Sequence, residues 1–233
     1  MSRSRNWEPL LAGLAALMVA LALLMVFLYA PRERTMGDVQ RIFYFHVSAA
    51  WVGFFAFFVT MLASIAYLIR RERRWDVLAL SSAEVGTLFI TMVLITGSLW
   101  ARPVWNTWWT WEPRLTISAI QWLIYLAYFM LRGALEEPGR RARFAAVYGI
   151  IAFITVPLSF MAIRWWRTIH PDILNPNAPG AQGGFSITPR MLHTLLFSIA
   201  TFTVLYLVLL RARIRLEKMS DRVAYLRQRL LIR

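Results

Sequence analysis

The chain has 233 residues, 59% of them hydrophobic and 16% charged, with a formal net charge of +14 and no cysteine. Apolar residues gathered into long blocks place it among membrane proteins rather than soluble domains. The missing cysteines exclude disulfides, thiol redox chemistry and covalent cofactor attachment through a Cys-x-x-Cys-His motif.

A helix rising about 1.5 Å per residue needs roughly 20 apolar residues to cross the hydrocarbon core. Six blocks approach that length: Leu10 to Ala30, Ile42 to Ile69, Val77 to Leu99, Leu115 to Leu131, Phe144 to Ile163 and Ile187 to Leu210. The first follows Arg3 and Arg5 as a signal sequence does, but its apolar run is too long for a signal core and Tyr29-Ala30-Pro31-Arg32 is a poor cleavage site. The expected fold is therefore all-α, a six-helix transmembrane bundle.

Charge sets the expected orientation. With the N-terminus inside, eighteen of the 26 basic residues fall on the inner side: Arg3 and Arg5, the turn Arg70 to Arg74, the turn Arg132 to Arg143, and the tail. Cytoplasmic loops are the ones enriched in Lys and Arg, so both termini are expected in the cytoplasm. The positive charge thus reads as an orientation signal, with no nucleic acid implied. Residues 1–210 form one membrane domain, and 211–233 a basic amphipathic cytoplasmic tail.

Along the chain, the inner turns are short and bland, and no Walker-type glycine loop is present, so the chain is not expected to hydrolyse ATP or to be an enzyme. His46 lies about one turn into the second span, after Arg41. Glu84 is an acidic residue within the third span, where a structural neutralisation by Ser81, Ser82 or inner arginines is the preferred reading. The connection from 100 to 114 holds Trp100, Trp105, Trp108, Trp109 and Trp111 together with Glu112, Arg102 and Arg114. As a short interfacial helix it would place Trp105, Trp108, Trp109 and Glu112 on one face. An aromatic belt is one account of these tryptophans; their concentration in one loop favours the other, a platform for a flat aromatic ligand.

Gln121 in the fourth span suits an interhelical hydrogen bond. The connection from Arg164 to Arg190 is rich in proline and glycine, which points to an irregular outer cover; His170, followed by Pro171, reads there as a solvated loop residue. His193 stands about a turn into the sixth span, at a depth matching His46. Taken singly, either histidine reads as a hydrogen-bonded structural residue. As a pair, they suit the two axial positions of a haem iron. A zinc site with Glu112 ranks low, because the spacing matches no compact zinc motif. Arg41, Arg114, Arg102 and Arg190 are placed either to bind propionates or to anchor the interface. In the tail, Leu216, Met219, Val223, Leu226 and Leu230 alternate spacings of three and four, which suits either a helical partner or anionic lipid.

These residues resemble the CcmC family, haem-handling membrane proteins of bacterial cytochrome c maturation. The resemblance runs through Arg41 to His46 with Ala49-Ala50-Trp51, Thr96-Gly97-Ser98-Leu99-Trp100, Trp105 to Thr116 and the histidine opening the sixth span. The tryptophan stretch is similar to the WWD signature, with Glu112 where aspartate is usual and Asn106 where glycine is common. The resemblance implies non-covalent haem b, His46 and His193 as axial ligands, and the Trp105 to Arg114 loop as platform. It further implies a bacterial inner membrane location, delivery of haem to the periplasmic chaperone CcmE, and association with the ABC transporter subunits CcmA and CcmB and with the small protein CcmD. The alternatives are a permease subunit of a haem or small-molecule ABC transporter, for which few polar residues line the spans, and a synthetase that joins haem directly to apocytochrome, whose relatives are larger and carry more histidines.

Overall fold

The computed structural model describes residues 8–166, 168–171, 182 and 184–231. Arg3, Arg5, Arg167 and Arg233, which entered the charge reading, lie outside the described residues, as do Pro176, Pro179, Gly180 and Gly183 of the cover. The regular structure of the described residues is helical, with α-helices α1 Glu8–Leu24, α2 Ile42–Arg70, α3 Arg73–Trp105, α4 Pro113–Ala134, α5 Pro138–Ala152, α6 Thr155–Trp165 and α7 Pro189–Leu231. Six segments are long and apolar enough to cross a membrane, with α1 prolonged to Tyr29, and α5 and α6 together making the fifth. The expected six-span, all-α architecture is what the chain adopts.

The break between α5 and α6 follows from Pro157. Its ring lacks an N–H and excludes the carbonyl four residues earlier, which is that of Phe153. That carbonyl accepts instead from Val156 N at 2.9 Å, and the helix restarts at Thr155. The third span is longer than its apolar block, because α3 continues through Pro103 to Trp105 before Asn106 turns into the left-handed region at φ 56°.

Packing centres on α2 and α3, which share the most extensive interface; α5 and α7 lie against α2, α1 runs along α7, and α4 packs on α5, α6 and α3. Small residues permit the close approach. A Cβ on Gly53 would stand 2.6 Å from Ile90 Cδ1, and one on Gly86 2.9 Å from Ala56 Cβ. Lipid supplies no hydrophobic drive between helices, so such tight contacts and interhelical hydrogen bonds hold the bundle. Ser82 donates to Ala56 O at 2.7 Å and lies 2.8 Å from the Tyr206 hydroxyl, joining α2, α3 and α7. Gln121 Nε2 donates to Thr155 Oγ1 at 3.0 Å, the interhelical bond expected of it.

Acidic side chains gather near the end at which α1 begins. Buried Asp76 accepts from Arg132 Nη1 at 2.6 Å and Nη2 at 3.1 Å, and also pairs with Arg73. Glu84 is neutralised by Arg213 of α7, whose Nη2 donates at 2.9 Å, rather than by the serines or inner turns. Removing one member of a buried ion pair leaves an uncompensated charge at a cost of about 3–5 kcal/mol. Asp76→Ala, which strands Arg132, is therefore expected to lower thermal stability in detergent far more than Arg132→Met, which leaves Asp76 with Arg73.

Candidate functional site

The opposite end of the bundle, the one that the charge distribution leads us to expect on the outer side, carries the α3–α4 and α6–α7 connections. A recess opens there with about 1050 Å³ of empty space counted to its mouth. This is the scale of sites that bury organic ligands. α2 contributes Phe43, His46, Val47 and Phe54, α3 Val93, Gly97, Trp100 and Trp105, and α4 Arg114 and Ser118; Trp109, His170 and Phe185 come from the connections. The wall is mostly apolar and aromatic, with two imidazoles and one guanidinium facing it.

His46 is set by α3. Thr96 Oγ1 donates to Met92 O at 2.6 Å, so it accepts from His46 Nδ1, 3.0 Å away. That assignment makes Nδ1 the protonated nitrogen and leaves the Nε2 lone pair unprotonated. The ring lies against the α3 backbone because position 97 is glycine: a Cβ there would come within 3.1 Å of His46 Cε1.

His170 obeys the same rule by different means. Its Nδ1 donates to Pro171 O at 2.9 Å, since a carbonyl can only accept, and Nε2 again keeps its lone pair. Burial holds its pKa well below the ordinary histidine value, with the nearby charges of Arg114 and His46 adding to the effect and the Pro171 bond opposing it. It is a neutral, half-buried imidazole rather than the solvated loop residue expected from sequence.

The segment carrying His170 is tied to the tryptophan loop by a chain of hydrogen bonds. Glu112 caps α4, its Oε1 accepting from Leu115 N at 2.7 Å, while Oε2 accepts from the Thr168 hydroxyl. Thr168 Oγ1 in turn accepts from His170 N at 3.1 Å. A second tie runs from Trp105 Nε1 to Gln182 O at 3.3 Å and from Gln182 N to Ile169 O at 2.8 Å. The loop is not the short helix considered above: Trp105 ends α3, residues 106–112 are irregular, and Glu112 begins α4, so the four residues do not share a helical face.

The predicted site residues thus divide. His46, Trp100, Trp105, Trp109 and Arg114 line the recess, and Trp100 and Trp105 meet edge to face at 5.2 Å. Trp108 and Trp111, 56% and 78% exposed, do not line it. Glu112 acts from behind, as cap and tie. Among the four arginines, Arg41 bonds Asp38 and Val26 O, Arg102 donates to Asn106 O at 2.8 Å, and Arg190 lies over the Tyr29 ring at 4.5 Å. Only Arg114 reaches the recess; it also donates to Ser159 O at 2.7 Å. His193 is exposed on α7, its Nδ1 3.3 Å from the Tyr29 hydroxyl, and is not among the lining residues. His170, expected from its neighbours to be a solvated loop residue, lines the recess with His46.

One end of this six-span membrane bundle thus gathers two imidazoles, three tryptophans and an arginine around a single recess. The chain belongs to the family described as "Heme exporter protein C", which it matches over residues 1–229. It is 35% identical to the Heme exporter protein C of Bradyrhizobium diazoefficiens, over 92% of this chain and 80% of that protein. It is 30% identical to a ccmC-like mitochondrial protein of cytochrome c biosynthesis from Marchantia polymorpha, over 85% and 82% of the two chains. With the Heme exporter protein C of Escherichia coli it shares 27% identity over 89% and 82%.

If Glu112 ties the two connections together, Glu112→Ala will cost about 1 kcal/mol as a lost helix cap. It will also speed hydrogen exchange at the Leu115 and His170 amides together, whereas a cap-only role would speed exchange at Leu115 alone.

Proposed function

We propose that this protein holds haem b non-covalently in the outer recess, with His46 and His170 as the axial ligands, and presents it outside the membrane for cytochrome c biogenesis. The observation that carries the reading is the pairing of these imidazoles on one recess, each with Nδ1 engaged and Nε2 left to coordinate. Second-partner bonds of this kind orient metal-bound histidines and set their tautomer. Six-coordinate haem iron takes two such donors, one from each face of the ring.

The rest of the recess suits the same ligand. Trp100, Trp105 and Trp109 offer aromatic surface to a macrocycle. Haem carries two carboxylates, for which Arg114 provides a cation and Trp109 Nε1, buried without an acceptor, provides a donor. When bound, the haem iron supplies the Lewis acid that the two imidazoles hold. Trp108 and Trp111, exposed at the outer end, offer an aromatic surface to a protein that receives the ligand.

We place both termini in the cytoplasm of a bacterium, with the chain in its inner membrane. The support is charge: Arg70, Arg71, Arg73, Arg74, Arg140, Arg141 and Arg143 lie at the end opposite the recess. The recipient in this reading is the periplasmic haem chaperone CcmE, and the assembly includes CcmA, CcmB and CcmD, as family membership suggests. A conducting permease is less well supported. Gln121 is bonded to Thr155 and Glu84 to Arg213, so both are engaged between helices.

The test is the absorption spectrum of detergent-purified protein, oxidised and reduced. His46→Ala and His170→Ala are each expected to lower haem content about tenfold or more, and Thr96→Val and Gly97→Ala to weaken it by roughly the same order through His46. His193→Ala should leave the low-spin spectrum in place. Loss of haem in His193→Ala with retention in His170→Ala would overturn the ligand assignment.

A further inference from the structure

α7 is 43 residues long. At about 1.5 Å per residue it is roughly twice the length needed to cross the hydrocarbon core, and its second half leaves the bundle as an unbroken helix beside the start of α1. The root of this extension is fixed. Arg73 donates to Glu217 and Asp221 at 2.9 Å each, Arg213 pairs with Glu84, and Arg215 pairs with Glu8. The ion pairs of Glu217 and Asp221 lie on the face turned to α3, while Leu216, Met219, Val223, Leu226 and Leu230 are exposed on the other side.

Those five side chains repeat at alternating intervals of three and four, the a and d positions of a heptad pattern. The flanking e and g positions are Arg213, Ser220 and Arg227, and Arg215, Arg222 and Arg229. They contain no acidic residue. Parallel self-pairing sets e against g, antiparallel self-pairing sets e against e and g against g, and either brings arginine onto arginine. A second copy is therefore the wrong partner. A membrane surface is also a poor one, because an interfacial helix must lie in the membrane plane, whereas this segment runs on from a span as one unbroken helix.

We propose that the α7 extension is the docking surface for an amphipathic helix of another polypeptide whose flanking positions are acidic. Leu216, Met219, Val223, Leu226 and Leu230 form the apolar seam, and Arg222, Arg227 and Arg229 select the charge of the partner. The surface lies at the opposite end of the molecule from the recess, so the assignment is independent of the ligand bound there.

The test uses full-length protein in zwitterionic nanodiscs and two synthetic four-heptad peptides, with Leu at a and d and either Glu or Lys at e and g. A reporter dye is attached to Ala224→Cys, exposed beside the seam but not part of it, a unique labelling site because the chain has no cysteine. The Glu peptide is expected to bind about tenfold or more tightly than the Lys peptide. Arg222→Glu/Arg227→Glu/Arg229→Glu should invert that preference, and Met219→Ser/Val223→Ser should abolish binding of both. Equal binding of the two peptides, or none, would overturn the proposal. So would a dye shift produced by anionic phosphatidylglycerol nanodiscs alone, which indicates lipid, or one that grows with protein concentration alone, which indicates self-association.

Discussion

Water does not reach the middle of a bilayer, so the backbone there has to close its hydrogen bonds within each helix, and irregular chain is confined to the ends. That constraint decides where a ligand site can be built in this protein. The hydroxyls inside the bundle largely bond backwards along their own helices, as Thr87 does to Ala83 O and Thr201 to Phe197 O, or reach across to a neighbour, as Ser82 does. Non-helical backbone returns at 106–112 and at 168–171, and these segments come together over the outer ends of α2, α3 and α4. The recess lies where the helices stop.

Glu112 and Gly97 connect this architecture to chemistry. Glutamate at 112 begins α4 and simultaneously grips Thr168, so the end of one helix fixes the position of an imidazole more than fifty residues further on. Glycine at 97 lets the His46 ring rest on α3, where Thr96 engages its Nδ1. In the proposed function these two arrangements are what turn two isolated histidines into an axial pair, and the tryptophans supply the surface around it.

Much of the fold was legible in the sequence, because the period and length of apolar blocks translate directly into spans. The boundaries were less so. Pro157 interrupts the fifth span at the Phe153 carbonyl that its ring excludes, whereas α3 continues through Pro103 and ends two residues later at Trp105. Half of the site could be read from the aromatic loop, His46 and Arg114. The exposed Trp108 and Trp111 could not be separated from the lining tryptophans, since an irregular loop carries no fixed period. His170 was hidden by its neighbours: proline and glycine mark a loop, and a loop histidine is ordinarily solvated. The available signal was its position four residues after Trp166 on the same side as the tryptophan loop, together with Thr168, a side chain able to accept from the His170 amide. His193 matched His46 in depth, but matching depth does not fix the side of a helix, and the side it presents meets Tyr29.

The proposed function requires His46 and His170 to serve one iron. Crystals of the full chain loaded with haem, measured at the iron absorption edge, locate that iron directly. The anomalous peak is predicted between the Nε2 atoms of His46 and His170. A peak beside His193 and Tyr29, or on the exposed faces of Trp108 and Trp111, would contradict it.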